Sequence, residues 1–161
     1  MSNIYGRLFT LISLDKSNED EISAMLDACS QVMKPHDISS MINTPNLCCT
    51  GAETMIMWAV WRLKKTIVQK LIALGADVKY VNEMGNSVST YWDTTAIKKN
   101  ETLACEIATN LYRAGANLLR ADGYSWCIVQ KAREDGFVKL QKTIEELDPV
   151  YKTFEFLDED V

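Results

Sequence analysis

Apolar residues three and four positions apart give this chain its plainest pattern. Ile67, Val68, Leu71 and Ile72 fall at i, i+1, i+4 and i+5, and Leu103, Ala104, Ile107, Ala108, Leu111 and Tyr112 extend the same stripe over three turns. Such spacing places side chains along one face of an α-helix. Thr66 and Asn100 stand where N-caps belong, each able to offer a side-chain oxygen to unbonded amides of the first turn. The two stripes also end alike, in Leu71-Ile72-Ala73-Leu74-Gly75-Ala76-Asp77-Val78 and in Leu111-Tyr112-Arg113-Ala114-Gly115-Ala116-Asn117-Leu118. A glycine just past a helix end takes the left-handed conformation without a Cβ clash, and the apolar residue that follows packs back on the helix.

A shorter helix is predicted before each of these, over Thr54 to Ala59 and over Gly85 to Thr90. Thr54 and Ser87 are 33 residues apart. At the N-terminus Ile4 to Leu14 read as one apolar-rich helix. Ser17, with Asp20 three residues on, resembles a capping box for a second stripe through Ile22, Met25, Leu26, Cys29 and Val32 or Met33. Residues from Pro35 to Gly51 are read as an irregular connector. Toward the C-terminus, Asp122-Gly123-Tyr124-Ser125 opens a weaker unit that runs to Leu147. It keeps Ala132, Gly136, Leu140 and Ile144 at the expected spacing and ends in Asp148-Pro149.

These units resemble ankyrin repeats, a family of about 33-residue units with a β-turn, two antiparallel helices and a Thr-Pro-Leu-His-x-Ala helix start. Thr54, Ile56 and Ala59 take the Thr, Leu and Ala places. Ile67-Val68, Leu71-Ile72 and Gly75-Ala76-Asp77 match the second helix and its ending. Met55 and Met57 replace Pro and His, so the hydrogen bonds of that histidine are expected to be missing. In the next unit Trp92 falls where Ala is usual, and the run from Ser87 to Gly115 is seven residues too long, lengthening the first helix or the loop around Asp93 to Asn100. The resemblance implies an all-α, ankyrin-like helix-turn-helix repeat solenoid of about four units with degenerate terminal caps. Its parts would be a cap at 1–34, a connector at 35–50, repeats at 51–81, 82–119 and 120–149, and an acidic-aromatic tail at 150–161.

Composition agrees with a single helical domain. The 161 residues are 47% hydrophobic and 24% charged, and Gly 7 with Pro 3 leaves too little turn punctuation for a many-stranded sandwich. A net charge of −5 argues against a nucleic-acid-coating protein. Five cysteines, an odd number with Cys48 and Cys49 adjacent, do not form a disulfide framework and suit a reducing cytosol. No run approaches the ~20 apolar residues of a membrane span. The patch from Leu8 to Leu14 is broken by Thr10 and Ser13 and lacks a signal-peptide cleavage site, so a cytoplasmic location is expected.

Candidate chemistry is sparse. His36 is the only histidine, predicted on an exposed loop. A nucleophile needs a base within hydrogen-bond reach, so an enzyme would have to pair His36 with Cys29, Cys48 or Cys49. The thiols lack zinc-ligand spacing, no phosphate loop occurs, and Glu134-Asp135 and Glu145-Glu146 read as solvated helix faces, so no metal or cofactor is expected. Arg62, Lys64, Lys65, Lys98 and Lys99, with Trp61, Tyr91 and Trp92 nearby, form either a basic patch for RNA or a phosphorylated partner or a solvated face.

The resemblance implies instead a non-catalytic module that binds a protein through its concave and turn-tip surface. The implied tips are Glu53, Tyr80, Glu83, Met84, Asn86 and Tyr124, and the first-helix positions are Trp58, Trp61, Arg62, Thr94, Thr95, Glu134 and Asp135. Trp61-Arg62 leads, because Trp and Arg dominate binding hot spots. Without an accompanying catalytic domain, the chain resembles the free-standing modules with which viruses and intracellular bacteria bind or block host proteins. The segment after Pro149 is read as an arm whose Phe154 and Phe156 cover the last helix pair, or as a docking peptide.

Overall fold

The computed structural model describes residues 2–47, 51–119 and 126–153. Its elements are α1 (Ser2–Ser13), α2 (Glu19–Val32), α3 (Pro35–Asn43), α4 (Met55–Trp61), α5 (Lys65–Ala73), α6 (Thr94–Lys99), α7 (Glu101–Arg113), α8 (Ile128–Glu134), α9 (Val138–Leu147) and α10 (Val150–Thr153). The described residues form an all-helical protein. Their only β pairing is an isolated antiparallel bridge between Asn46 and Glu53.

Helix character follows from the sequence of each piece. The α4 segment, Met-Ile-Met-Trp-Ala-Val-Trp, is apolar all round and buries Met55, Ile56, Met57, Ala59 and Val60, as a helix with neighbours on every side must. It packs on α1 and α5. The amphipathic helices line up beside it: α2 against α5, α5 against α7, and α7 against α9. Each turns one stripe inward, Ile67, Val68 and Leu71 from α5 and Ala104, Ile107, Ala108 and Leu111 from α7. One continuous apolar core runs from Leu8 and Ile12 of α1 to Leu140 and Ile144 of α9.

Four corners share one hydrogen-bond pattern. At Gly75 the amides of Gly75 and Ala76 donate to Ile72 O (3.0 Å) and Leu71 O (2.9 Å). The same pair recurs at Gly115-Ala116, at Gly136-Phe137 and at Leu63-Lys64. This is the Schellman closure, which satisfies otherwise orphaned helix carbonyls and requires a left-handed residue. Gly75, Gly115 and Gly136 supply it at φ of 89°, 93° and 72°, as the repeated Gly-Ala endings predict for the first two. Leu63 does so at φ 50° with a side chain. That conformation costs about 1–2 kcal/mol, and burial of the isobutyl group offsets it by about 1.5–3 kcal/mol.

Several local expectations need correction. The supposed connector contains the helix α3, which starts with Pro35 in its first turn and buries Ile38 and Ile42. Residues 85–90 are not helical. Ser87, Ser89 and Thr90 instead form a buried hydrogen-bonded turn: Ser87 N donates to Thr90 Oγ1 (3.0 Å), Ser89 N to Ser87 Oγ (3.1 Å), and Ser89 Oγ to Leu118 O (2.8 Å). Hydroxyl side chains compete in this way with helical bonding. The helix lies later, as α6, whose N-cap Asp93 accepts from Thr95 N at 2.9 Å. The N-cap of α5 is Lys64, not Thr66, and that of α2 is Asn18, not Ser17. Asn100 does cap α7, accepting from Leu103 N at 3.1 Å.

The hydroxyl of Thr54, at the N-cap of α4, is buried without a partner, and Met57 has no donor to lend it. The chain after Pro149 folds back through α10, with Tyr151 buried and its carbonyl accepting from Arg133 Nη2 at 2.7 Å. Phe154 and Phe156 lie outside the described residues. No helix among the described residues is long and apolar enough to cross a membrane.

Candidate functional site

Trp58 and Trp61 are one helical turn apart on α4, a spacing that puts both on one side. They belong to a ladder of rings drawn from three parts of the chain. Tyr5 and Phe9 of α1 lie 6.0 Å apart between centroids, Phe9 meets Trp58 edge-on at 6.4 Å, Trp58 meets Tyr91 edge-on at 5.6 Å, and Tyr91 meets Trp61 at 5.0 Å. Edge and tilted contacts at these separations are favourable. Tyr5, Trp58, Trp61 and Tyr91 are only half-buried. The result is a rigid aromatic surface spanning α1, α4 and the turn before α6.

Two cations lock the framework behind it. Arg62 Nε donates to Ser13 O (2.7 Å), Nη1 lies 3.7 Å from Asp15 Oδ1, and the guanidinium carbon sits 5.9 Å from the centre of the Trp58 ring. The buried Lys64 ammonium donates to Leu11 O (3.1 Å), Leu14 O (2.7 Å) and Ser17 Oγ. Together they satisfy carbonyls at the C-terminal end of α1, where positive charge also meets the helix dipole. Desolvation pulls the Lys64 pKa below its ordinary value; Glu19 and Asp15 push it up and Arg62 pushes it down.

The predicted site residues separate into three groups. Trp61 lies in the ladder, whereas Arg62 is committed to α1 and is not a free hot spot. The tip residues Tyr80, Glu83, Met84 and Asn86 cluster around a tight turn in which Asn82 Oδ1 accepts from Met84 N (3.0 Å) and Asn86 N (2.8 Å). Glu83 and Met84 are exposed. Tyr80 donates its hydroxyl to Ala52 O at 3.1 Å, and burial, then Glu83 and Glu53, push its pKa up. Glu53, expected at a tip, is buried, and its Oε2 has no hydrogen-bond partner, nor has the nearby Asn82 Nδ2. Thr94 is half-buried and Thr95 exposed at the start of α6, while Glu134 and Asp135 are exposed at the end of α8. Tyr124 lies outside the described residues.

Of the five cations of the candidate basic patch, Lys98 and Lys99 are exposed and the others are engaged or buried. Lys64 is buried, Lys65 pairs with Glu106 at 2.9 Å, Lys98 approaches Asp135 at 3.9 Å, and Arg62 is held as described. His36 is exposed, in the first turn of α3 rather than on a loop. Burial raises the thiol pKa of Cys29, Cys105 and Cys127, which favours the unreactive thiol over the thiolate. Cys48 and Cys49 lie outside the described residues. Among the described residues no group of three His, Cys, Asp or Glu side chains could hold a metal ion.

The described residues also line two concavities. One, of about 690 Å³, is lined by Ile4, Tyr5, Val32, Met33 and Met41 with Lys34 and Asp37 among its polar groups. The other, of about 260 Å³, is lined by Gln69, Ile72, Asn110, Arg113 and Ala114. Comparisons with protein-family models, curated proteins and solved structures give no match to this chain.

Proposed function

We propose that this chain is a non-catalytic, ankyrin-like repeat module that captures another protein in the cytoplasm through its aromatic face. One observation carries the reading: Trp58, Trp61 and Tyr91 are half-buried in a contiguous ladder. Aromatic side chains already fixed by packing lose little entropy on binding and bring large contact areas, which is how hot spots act. The repeated Gly-Ala corners and the side-by-side order of α2, α5, α7 and α9 support the repeat reading. Met84 and Glu83 extend the surface toward the turn tips.

Trp61→Ala combined with Tyr91→Ala tests this, with partner capture from the native cell as the readout and thermal unfolding as the control. Capture should weaken by roughly 30-fold or more, the equivalent of a hot-spot loss of about 2 kcal/mol. Undiminished capture by a folded double variant would remove the aromatic face from the proposal.

A further inference from the structure

The small concavity between α5 and α7 has a chemistry of its own. Gln69 and Ile72 come from one face of α5, and Asn110, Arg113 and Ala114 from one face of α7. Two carboxamides and a guanidinium therefore surround an apolar patch made by Ile72 and Ala114.

No hydrogen bond or ion pair joins the side chains of Gln69, Asn110 or Arg113 to another described residue. A second unpaired cation is close by, since Lys79 Cε lies 3.6 Å from where a Cβ on Gly115 would stand. Neighbouring charges are already matched: Lys65 with Glu106, and Lys70 with Asp27 at 2.6 Å. Helix C-termini normally repel anions, and hydrogen bonding of last-turn carbonyls lessens that effect here. Leu71 O, Ile72 O, Leu111 O and Tyr112 O all accept Schellman bonds from the corners at Gly75 and Gly115. The guanidinium of Arg113, a donor only, and the carboxamides of Gln69 and Asn110, which can turn their N–H groups inward, are thus the side-chain groups left to meet a ligand.

We infer that this pocket binds a carboxylate, supplied by an Asp or Glu side chain of a protein. Arg113 offers the planar two-pronged donor geometry that matches a carboxylate. Gln69 and Asn110 can each add an N–H donor, and Lys79 adds charge. The volume, about 260 Å³, lies below the ~300–1,000 Å³ of pockets that enclose cofactors and drug-sized ligands, so it suits a single side chain. None of these residues belongs to the aromatic ladder, so the site stands or falls separately from it.

The test is a titration of the full ¹⁵N-labelled chain with three probes: the capped peptide acetyl-Glu-Glu-Glu-amide, succinate and inorganic phosphate. Side-chain resonances of Gln69, Asn110 and Arg113 are followed. The expected result is saturable binding of the peptide, at least tenfold tighter than succinate or phosphate, weakened by added salt. Arg113→Gln should reduce it at least tenfold and Arg113→Lys at least fivefold, because a single ammonium cannot replace the fork. Arg113 is exposed, so both variants should keep the wild-type unfolding midpoint. Shifts that do not saturate, or that persist in Arg113→Gln, overturn the site. Phosphate binding more tightly than the peptide overturns the carboxylate assignment, and succinate binding as tightly overturns the protein source.

Discussion

The segment Met55–Trp61, which follows Thr54, and the segment Ser87–Trp92, which opens 33 residues after Thr54, are built by opposite means. The first is a helix that hides five apolar side chains and bonds its backbone locally, within itself and to the residues that flank it. The second is a turn with two apolar anchors, Val88 and Trp92, whose backbone is satisfied by hydroxyls and by neighbours: Ile128 N donates to Ser89 O at 2.7 Å, and Trp92 Nε1 to Val88 O at 2.7 Å. Each is braced by a lysine. Lys64 reaches the carbonyls of α1, and Lys131 Nζ donates to Thr90 O at 2.6 Å. What such a position requires is buried apolar surface and a fully bonded backbone. A helix is one way of providing both.

The contrast is testable, and the largest effect should come from its most concentrated anchor. Trp92→Ala should cost about 3–5 kcal/mol in urea unfolding, more than Met57→Ala, since α4 spreads its burial over five residues. The reverse order would break the comparison. Lys64→Met should cost about 1.5–3 kcal/mol, the worth of hydrogen bonds from a charged donor, and should raise amide exchange in α1 first. An unchanged α1 would show that apolar contacts alone hold it.

Alkali should separate the two regions by sign. Burial raises the pKa of Cys127, beside the Ser87–Trp92 turn, and of Tyr151. Their contribution is fully present below the unfolded-state pKa, about 8.5 for a thiol, and is lost as pH rises through the folded value. Lys64 runs the other way: its folded pKa is lowered, so its contribution is restored as pH rises toward about 10.4, the ordinary lysine value. Stability measured from pH 8 to 10 should fall less steeply in Cys127→Ala than in the wild type; equal slopes would refute the thiol's role. The smallest effect belongs to a corner. Gly136→Ala places a Cβ in open space at φ 72°, so its cost should be the conformational one, about 1 kcal/mol. In Gly75→Ala the added atom would also meet Ser39 Oγ at 3.1 Å, making that change the costlier of the two by thermal unfolding.

Much of the helical framework was legible because its signals are local. The stripes of α5 and α7, the Asn100 cap and the glycines at 75 and 115 are each fixed by residues within a few positions. The α3 helix was also written locally, in Pro35, Asp37 and the Ile38/Ile42 pair, but a repeat template that expects a connector there hides it. The Ser87–Thr90 error has another cause. Spacing alone placed a helix on hydroxyl residues whose bonds run to Leu118 and Ile128, far along the chain. The candidate face was half legible. Trp61 stands out by residue type, whereas its tilted ring contact with Tyr91, and the attachment of Arg62 to Ser13, depend on contacts that no local pattern encodes.

The matching closures at Gly75 and Gly115 carry a practical corollary. Leu71–Ala76 and Leu111–Ala116 bend the chain by the same two bonds and nearly the same backbone rotation, while their side chains make different contacts: Tyr112 donates to Asp148 Oδ2 at 3.3 Å, and Arg113 lines the concavity beside α5. Evolution or an engineer can therefore reuse the closure itself at a new corner, while the side chains that meet neighbouring elements stay with their own position.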